Sequence, residues 1–511
     1  MLFNSYIFIL LFLPLVVSGY FLINKLQGEK KGTLDLWWIF AMSLWFYGYS
    51  VPKYLVLILF SIFVNFFVSK RISANRECEK KKNAKVWMIT GVAFNLGLLF
   101  YFKYYDFFIS NMNVLFKEDW ALKHIALPLG ISFFTFQQVS YIVDSYRDKD
   151  IIKYRFIEYA AYVTFFPQLV AGPIVMHSEL IPQMKDESKK KIDFENLSQG
   201  LYALALGLGK KVLLADTLSK IVTFGYGNIS SLNAASALVV MVSYFLQIYF
   251  DFSGYCDMAL GMAKMFNMDL PINFNSPYKA KTVNGFWDRW HLTLSRFFIQ
   301  YVYIPLGGSR KGKVRTYVNT AIVFLLSGMW HGANWTFFIW GITHGFFSIC
   351  EKIIVAMLKN RKKVEKEITT WADRTLKIVV GLLGYIYMFV FKNLTLVMFR
   401  ADSVTDIKEM YHSLTLRTGG ISEAITSKVN DLVEVRLLAR LGFMDLFDRY
   451  PALPCIVLLL VLLFAVYFMK NTQEKMANKQ FGVRRSLVTV FLIVWSVISL
   501  SDVSEFLYFN F

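Results

Sequence analysis

Two Trp-His pairs mark the stretch of this chain best suited to chemistry. Trp290-His291 and Trp330-His331 sit at either end of FWDRWHLTLSRFFIQYVYIPLGGSRKGKVRTYVNTAIVFLLSGMWHGANW, residues 286–335. The chain holds six histidines, and these two stand beside indoles in segments apolar enough for a bilayer. An ionisable group at membrane depth is costly to place, so a functional site is the first reading. A buried imidazole loses solvation, which favours its neutral form and leaves a nitrogen free to take a proton. It then suits the role of general base for a hydroxyl nucleophile. The second histidine, or an indole N–H, is suited to orient a substrate or to donate to a developing oxyanion. The bland alternative is a pair of satisfied structural histidines.

Other reactive side chains point to less. Metal binding wants more convergent ligands than these spacings offer, and no metal ligand is assigned. The four cysteines, Cys78, Cys256, Cys350 and Cys455, stand alone without C-x-x-C spacing, so neither a disulfide framework nor a zinc site is expected. His344, in WGITHG, is expected to pack structurally beside the histidine segment. His124, His177 and His412 fall near loops and are assigned no chemistry. Asp251 and Asp257 lie six residues apart in YFDFSGYCDMALG, on different helix faces. They are expected to be helix caps or structural hydrogen-bond partners, not an acid/base pair.

The elements that must position the histidines form a hairpin. Its turn, 307–315, contains Arg310, Lys311, Lys313 and Arg315 and is expected on the cytoplasmic side. His291 precedes Gly307 by 16 residues, and His331 follows Arg315 by 16. With helix on both sides, each histidine would stand about 24 Å along its arm, at similar heights in one bundle interior. Leu127 to Arg147 (LPLGISFFTFQQVSYIVDSYR) and Tyr162 to Ile174 (YVTFFPQLVAGPI) interrupt apolar runs with Pro, Gly, Gln and charge. Irregular backbone at membrane depth is tolerated where it is buried or lines a wet cavity, so re-entrant or broken helices around a cavity are expected.

Composition sets the class. Of 511 residues, 56% are hydrophobic and 17% aromatic, and the mean hydropathy is +0.44. Many windows carry almost no charge over the roughly 20 residues a helix needs to cross a bilayer. The runs are too long for alternating barrel strands, which leaves an all-α polytopic membrane protein. Residues 1–23 have no basic residue before the apolar run and no small-residue cleavage site, so a retained first helix is expected. The net charge of +19 crowds into short loops, around Lys25, Lys30 and Lys31, then 70–85, 185–191, 310–315, 359–366 and 470–485. That asymmetry marks cytoplasmic loops, not a nucleic-acid surface. Crossings at 3–23, 34–50, 54–69 and 86–102, and later at 374–399, 452–469 and 486–506, then place both termini outside. The stretch 400–451 has eight acidic and seven basic residues. Its balance suits an external position, and 432–450 suits a short amphipathic helix on the membrane surface.

The run FWDRWHLTLSRFF…YIPLGGSR, followed by LLSGMWHGANWTFFIWGITHG, resembles the membrane-bound O-acyltransferase superfamily. It is most similar to the bacterial branch containing the alginate O-acetylation membrane protein. PLGISFFTFQQVSYIVDSYR, FFPQLVAGPI and YFDFSGYCDMALG fit the same branch, so the resemblance covers about residues 90–350. Helices 1–89 precede this core and helices 351–511 follow it in one transmembrane domain, 1–511. The resemblance implies a helical bundle around a central funnel, with His331 of W-H-G as catalytic residue and His291 as a second active-site residue. Trp290, Trp330, Asn334, Arg289 and Arg310 are candidates for binding donor or substrate. It also implies no bound cofactor, acetyl-CoA as acyl donor and an extracytoplasmic glycan as acceptor. An esterase-like extracytoplasmic partner and a place in the bacterial plasma membrane complete the expectation. The chain departs from the usual wording at Asp288, at Ile299-Gln300 and at His177, positions that bear on which partner or acceptor is used.

Two other readings compete. D-alanyl or other acyl transfer to teichoic acid shares the W-H-G logic, but those relatives tend to be shorter and lack the G-G-S-R turn at 307–310. A proton-coupled transporter would use the histidines as a relay and the broken helices as a substrate site. No self-similarity between the halves supports it.

Overall fold

A computed structural model describes residues 1–28, 32–148, 150, 152–361, 371–416, 419–477, 482–500 and 506–507. Lys30, Lys31, 362–366 and 478–481 of the basic loops lie outside the described residues, as do 501–505 of the expected last crossing. The described residues contain no strand, only an isolated antiparallel bridge between Phe274 and Trp290.

The N-terminal part runs α1 (Leu13–Gln27), α2 (Leu34–Gly48), α3 (Lys53–Glu77), α4 (Lys81–Leu99) and α5 (Tyr105–Phe116). A π turn, Phe8–Phe12, leads into α1 and another, Phe100–Tyr104, joins α4 to α5. The core follows with α6 (Ile131–Arg147), α7 (Phe156–Thr164), α8 (Phe166–Leu169), α9 (His177–Lys185), α10 (Phe194–Leu208), α11 (Asp216–Gly227) and α12 (Ala234–Met265). The histidine region comprises α13 (Val283–Trp287), α14 (Leu292–Phe298), α15 (Lys313–His331), α16 (Trp335–Arg361) and α17 (Trp371–Arg400). The end of the chain adds α18 (Val404–Ser413), α19 (Glu423–Asn430), α20 (Val433–Leu438), α21 (Met444–Arg449), α22 (Leu453–Phe468), α23 (Thr472–Met476) and α24 (Val483–Ile498).

Six described helices are long and apolar enough to cross a membrane: Phe8–Gln27, Lys53–Glu77, Lys81–Phe116, Ala234–Met265, Trp335–Leu358 and Ile378–Arg400. The expected crossing at 34–50 is a helix of only 15 residues. The one at 86–102 is part of a rod of 36 residues, because the π turn carries α4 onward into α5. The segment before α22 is helical, as its amphipathic pattern predicts, and α20–α21 meets α22 at a bend of 105°.

Helix α12 is the pole of the bundle. Its 32 residues are buried along nearly their whole length, as an all-round apolar helix requires. Helix α10 packs against it through glycines spaced by seven. A Cβ on Gly207 would come within 2.6 Å of the Gly254 carbonyl oxygen, and one on Gly200 within 2.5 Å of that of Gly261. Small residues that let backbones touch are a usual basis for helix association in lipid. The close approach also brings Lys210 Nζ to 2.6 Å from Asp257 and Lys211 Nζ to 2.7 Å from Asp251. Both carboxylates stand inside α12, so their role is structural, as expected, through buried ion pairs instead of caps.

The two interrupted stretches behave differently. The Pro and Gly residues at 128–130 precede α6, with Gly130 in the left-handed region at φ 70°. The following 17 residues form one continuous helix, buried from Ile131 to Ser145, so no break occurs inside it. Its glutamines and serines are tied laterally instead: Gln138 accepts from Asn65 at 2.8 Å and donates to Ser61 at 2.9 Å. The 162–174 stretch is broken, because Phe165 leaves helical geometry between α7 and α8.

The interlocked glycines give a direct test. Gly207→Leu should lower the melting temperature of the purified protein in detergent, at a cost of about 1–3 kcal/mol or more. Gly97→Leu, where nothing lies within 4 Å of the added carbon, should leave it unchanged.

Candidate active site

Helix α15 ends inside the protein, at His331. A helix end leaves its last carbonyls without intrahelical partners, and burial makes each one costly. Here the π turn Phe100–Tyr104 supplies the donors. Tyr104 donates its hydroxyl to Met329 O at 2.8 Å, while Lys103 Nζ donates to Trp330 O at 2.5 Å and to His331 O at 3.3 Å. The same end is tied to α16 on its other side by glycines: a Cβ on Gly328 would stand 2.4 Å from Phe337 O. The direction in which His331 leaves the helix is thereby set on two sides.

His291 is placed by a loop, not by a helical arm. It adopts the left-handed conformation (φ 47°, ψ 52°) at the cap of α14, a rare state for a non-glycine residue. The backbone around it pairs with the 273–275 segment, Asn275 N donating to Arg289 O at 2.9 Å and Leu292 N to Asn273 O at 3.0 Å. Asn273 Oδ1 lies 3.0 Å from His291 Nδ1 and also accepts from the Thr293 hydroxyl at 3.0 Å. An amide oxygen only accepts, so Nδ1 carries the hydrogen and Nε2 is the acceptor nitrogen. Arg296, one turn on, forks onto Glu179 at 2.5 and 2.8 Å and holds α14 against α9.

The two histidines meet on one indole. Trp330 lies 5.9 Å from the His291 ring and 5.0 Å from the His331 ring, centroid to centroid. Phe399 and Trp340 close around His331 at 4.9 and 5.2 Å. His291, His331 and His344 are all buried.

Two cavities flank this ring cluster. One of about 300 Å³ lies between the hairpin arms and is lined by Trp287, Asp288, Tyr303, Thr320, Ser327 and Lys352. The other, about 700 Å³, begins where α15 stops and is lined by Lys103, Asp106, Gly332, Asn334, Phe399 and Arg400. Trp287 borders the first and packs 5.7 Å from Trp340, and Phe399 borders the second and packs 5.1 Å from Trp340. A run of packed rings, Trp287, Trp340 and Phe399, thus leads from one chamber to the other, and His331 packs on it without lining either. A third cavity, about 730 Å³, lies apart along α22 and α24, and the histidines line none of the three.

The other candidate residues are distributed unevenly. Asn334 caps the chain before α16, accepting from Thr336 N at 3.0 Å and donating to Asp402 O at 2.7 Å, on the wall of the larger chamber. Trp290 packs among Phe274, Phe286 and Tyr278 and forms the support behind His291. Arg289 donates to Asn275 O at 3.3 Å, in the loop that holds His291. Arg310 is exposed in the turn, where Gly307, Gly308 and Gly312 all have positive φ. The whole length of α15, about 27 Å for its rise, lies between that turn and His331. His177, given no chemistry, is buried between Tyr154 at 3.1 Å and Asp144 at 3.3 Å.

Sequence reasoning passed over Lys103 and Lys392. Lys392, on α17, is buried with its ammonium 3.9 Å above the Phe286 ring. Each is a lone lysine in an apolar run, and that was the available signal.

Over residues 105–399 the sequence matches the profile of the membrane-bound O-acyltransferase (MBOAT) family. The chain belongs to this family. It is an acyltransferase built as a multi-pass helical membrane protein. The peptidoglycan O-acetyltransferase of Helicobacter pylori is 36% identical, with the similarity covering 100% of this chain and 98% of the relative. The probable alginate O-acetylase of Pseudomonas putida is 34% identical over 75% of this chain and 76% of its own length. The teichoic acid D-alanyltransferase of Streptococcus thermophilus is 26% identical over 61% of this chain and 84% of its own. The family match extends past the resemblance at 90–350 to include α17, whose Phe399 packs on His331.

Asn273→Ala should release His291 without touching the chambers. Acyl transfer by this MBOAT enzyme should fall by about 10- to 100-fold, the scale on which misplaced groups lose rate. Ester formation per unit of membrane-inserted protein measures it.

Proposed function

We propose that this enzyme transfers acetyl from cytoplasmic acetyl-CoA to a hydroxyl presented outside the plasma membrane, modifying peptidoglycan or a similar envelope glycan. The observation that carries the reading is the run of rings on which His331 packs, with one chamber at either end of it. Similarity along the whole chain to a peptidoglycan O-acetyltransferase favours the cell wall over alginate as acceptor.

In this reading the chamber between the hairpin arms takes the pantetheine arm of the donor. It lies beside α15, whose first turn follows the basic 307–315 loop, and Lys352 stands in its wall. The acceptor hydroxyl comes through the larger chamber. His331 accepts the hydroxyl proton as the oxygen attacks the thioester carbonyl. The tetrahedral centre collapses with cleavage of the C–S bond, and the proton passes to the departing thiolate. One ester and one thiol result from one alcohol and one thioester. His291, with Asn273 on Nδ1, presents Nε2 to the same space and orients the reacting hydroxyl.

The basic loops favour cytoplasmic placement of the hairpin turn and external placement of both termini. External α18 to α21 would then offer the surface for a separate esterase-like protein, whose own hydroxyl could receive the acetyl group before the glycan does. D-alanyl transfer remains the runner-up, through a relative of lower identity and coverage.

The test compares O-acetyl ester content of purified envelope glycans in a deletion strain carrying wild type or His331→Ala. Loss of a general base should lower esters by about 100-fold or more, at equal membrane levels of the protein. Equal esters in both strains would sink the role of His331, and D-alanyl esters in place of acetyl would move the chain to the teichoic acid reading.

A further inference from the structure

His344 was expected to be a packing residue, and its surroundings carry more than packing. Its Nδ1 receives the Trp287 indole N–H at 3.3 Å. A neutral imidazole with an accepting Nδ1 carries its hydrogen on Nε2. That Nε2 is buried and meets no acceptor among the described residues. The same holds for Nε1 of Trp340 and Nε1 of Trp330. These rings are not scattered: Trp340 packs 4.8 Å from His344 and 5.2 Å from His331, and Trp330 packs 5.0 Å from His331.

Three N–H donors without acceptors in one ring cluster run against the usual rule for buried polar groups. Each carries a desolvation cost of about 1–3 kcal/mol if nothing meets it. A structural role would be served as well by phenylalanine at 340, which fills the space and removes the cost, while at 344 it would remove the unmet Nε2–H but also the acceptor of the Trp287 indole. A lining of donors calls instead for a ligand that brings acceptor atoms. The group being transferred brings one: the acyl carbonyl oxygen, which becomes an oxyanion when the hydroxyl adds.

We propose that His344 Nε2–H and Trp340 Nε1–H receive the carbonyl oxygen of the acyl group and stabilise the tetrahedral oxyanion. Trp287 acts one step behind, as a positioning residue that holds His344 in the donating tautomer. The assignment rests on acyl transfer taking place at His331. In the reacting complex His331 moves the proton, and His344 and Trp340 hold the negative charge that appears as the C–O bond forms. When the carbonyl re-forms and the C–S bond breaks, the charge leaves on sulfur, which takes the proton from His331, so neither His344 nor Trp340 changes its own protonation. His344 thereby becomes a catalytic residue.

The variants are His344→Gln, which keeps an N–H donor near the Nε2 position, His344→Phe and Trp340→Phe. Each full-length chain is expressed in the deletion strain, and its membrane level and melting temperature are measured beside glycan O-acetyl content. Removal of one preorganised donor to an oxyanion costs about 100- to 1,000-fold in rate. His344→Phe and Trp340→Phe should show losses of that size in initial ester formation, Trp340→Phe with a melting temperature at or above wild type and His344→Phe with one close to it, since it also removes the Trp287 acceptor. His344→Gln should stay within about tenfold of wild type. A Phe variant at 344 as active as wild type, or Gln and Phe equally impaired, would overturn the role of His344. Trp340→Phe reports on the same carbonyl site should His344→Phe fail to accumulate. If wild type restores no ester, or His331→Ala restores as much as wild type, the proposed acetyl transfer at His331 fails, and this assignment fails with it.

Discussion

A helix that stops inside an apolar slab must find donors for its last carbonyls, and the architecture of this enzyme follows from how that is done for α15. The donors come from Tyr104 and Lys103, on a π turn that a regular helix would not present in the same way. The rod α4–α5 is therefore part of the candidate site although no atom of it needs to react. The carbonyl ends that attract Lys103 also attract any cation, so the lysine serves as a helix cap and as one wall of the larger chamber. Moving His331 would require moving a helix terminus, its cap and the glycine contact with α16 together.

The same medium explains the rigidity of the core. Lys210, Lys211, Asp251 and Asp257 could not be left single in this setting, and each finds an opposite charge between α12 and the π turn Gly209–Ala215 that continues α10. A buried pair adds little net stability over apolar residues, but removal of one member leaves the other exposed to the full desolvation penalty. The pairs thus fix register: sliding α10 along α12 by one residue would break both at once, and would also bring backbone against Cβ atoms where glycines now meet. That fixed pole is what α17 packs on when it brings Phe399 over His331.

Much of the arrangement was legible in the chain itself. The two Trp-His pairs could be read as partners, since spacing from a shared turn made them neighbours, and the structure joins them through Trp330. The long apolar runs gave the class of fold, because lipid leaves so few backbone solutions. What could not be read was conformation at single residues. Nothing in W-H-L announces that His291 takes a left-handed backbone held by Asn273, 18 residues upstream. Polar residues within α6 resembled a break because periodicity cannot distinguish a gap in the helix from lateral hydrogen bonds to neighbours. Lys103 and Lys392 were visible as isolated charges in apolar segments, and the partners that explain them lie far away in sequence. His344 packs among rings as expected, but the bond that fixes its proton position comes from Trp287, 57 residues upstream.

The ring layer between the two chambers has a bioenergetic consequence. A pore through the bundle would let protons run down the gradient that the cell maintains, each elementary charge carrying about 2.3 kcal/mol per 100 mV. Here the chambers are divided by closely packed aromatic and imidazole rings, with centroid spacings of 5 to 6 Å and no open bore described through them. In the proposed reaction a two-carbon acyl group would change hands at these rings without the chambers having to join. On that proposal, acyl groups would pass the envelope without opening a path for protons.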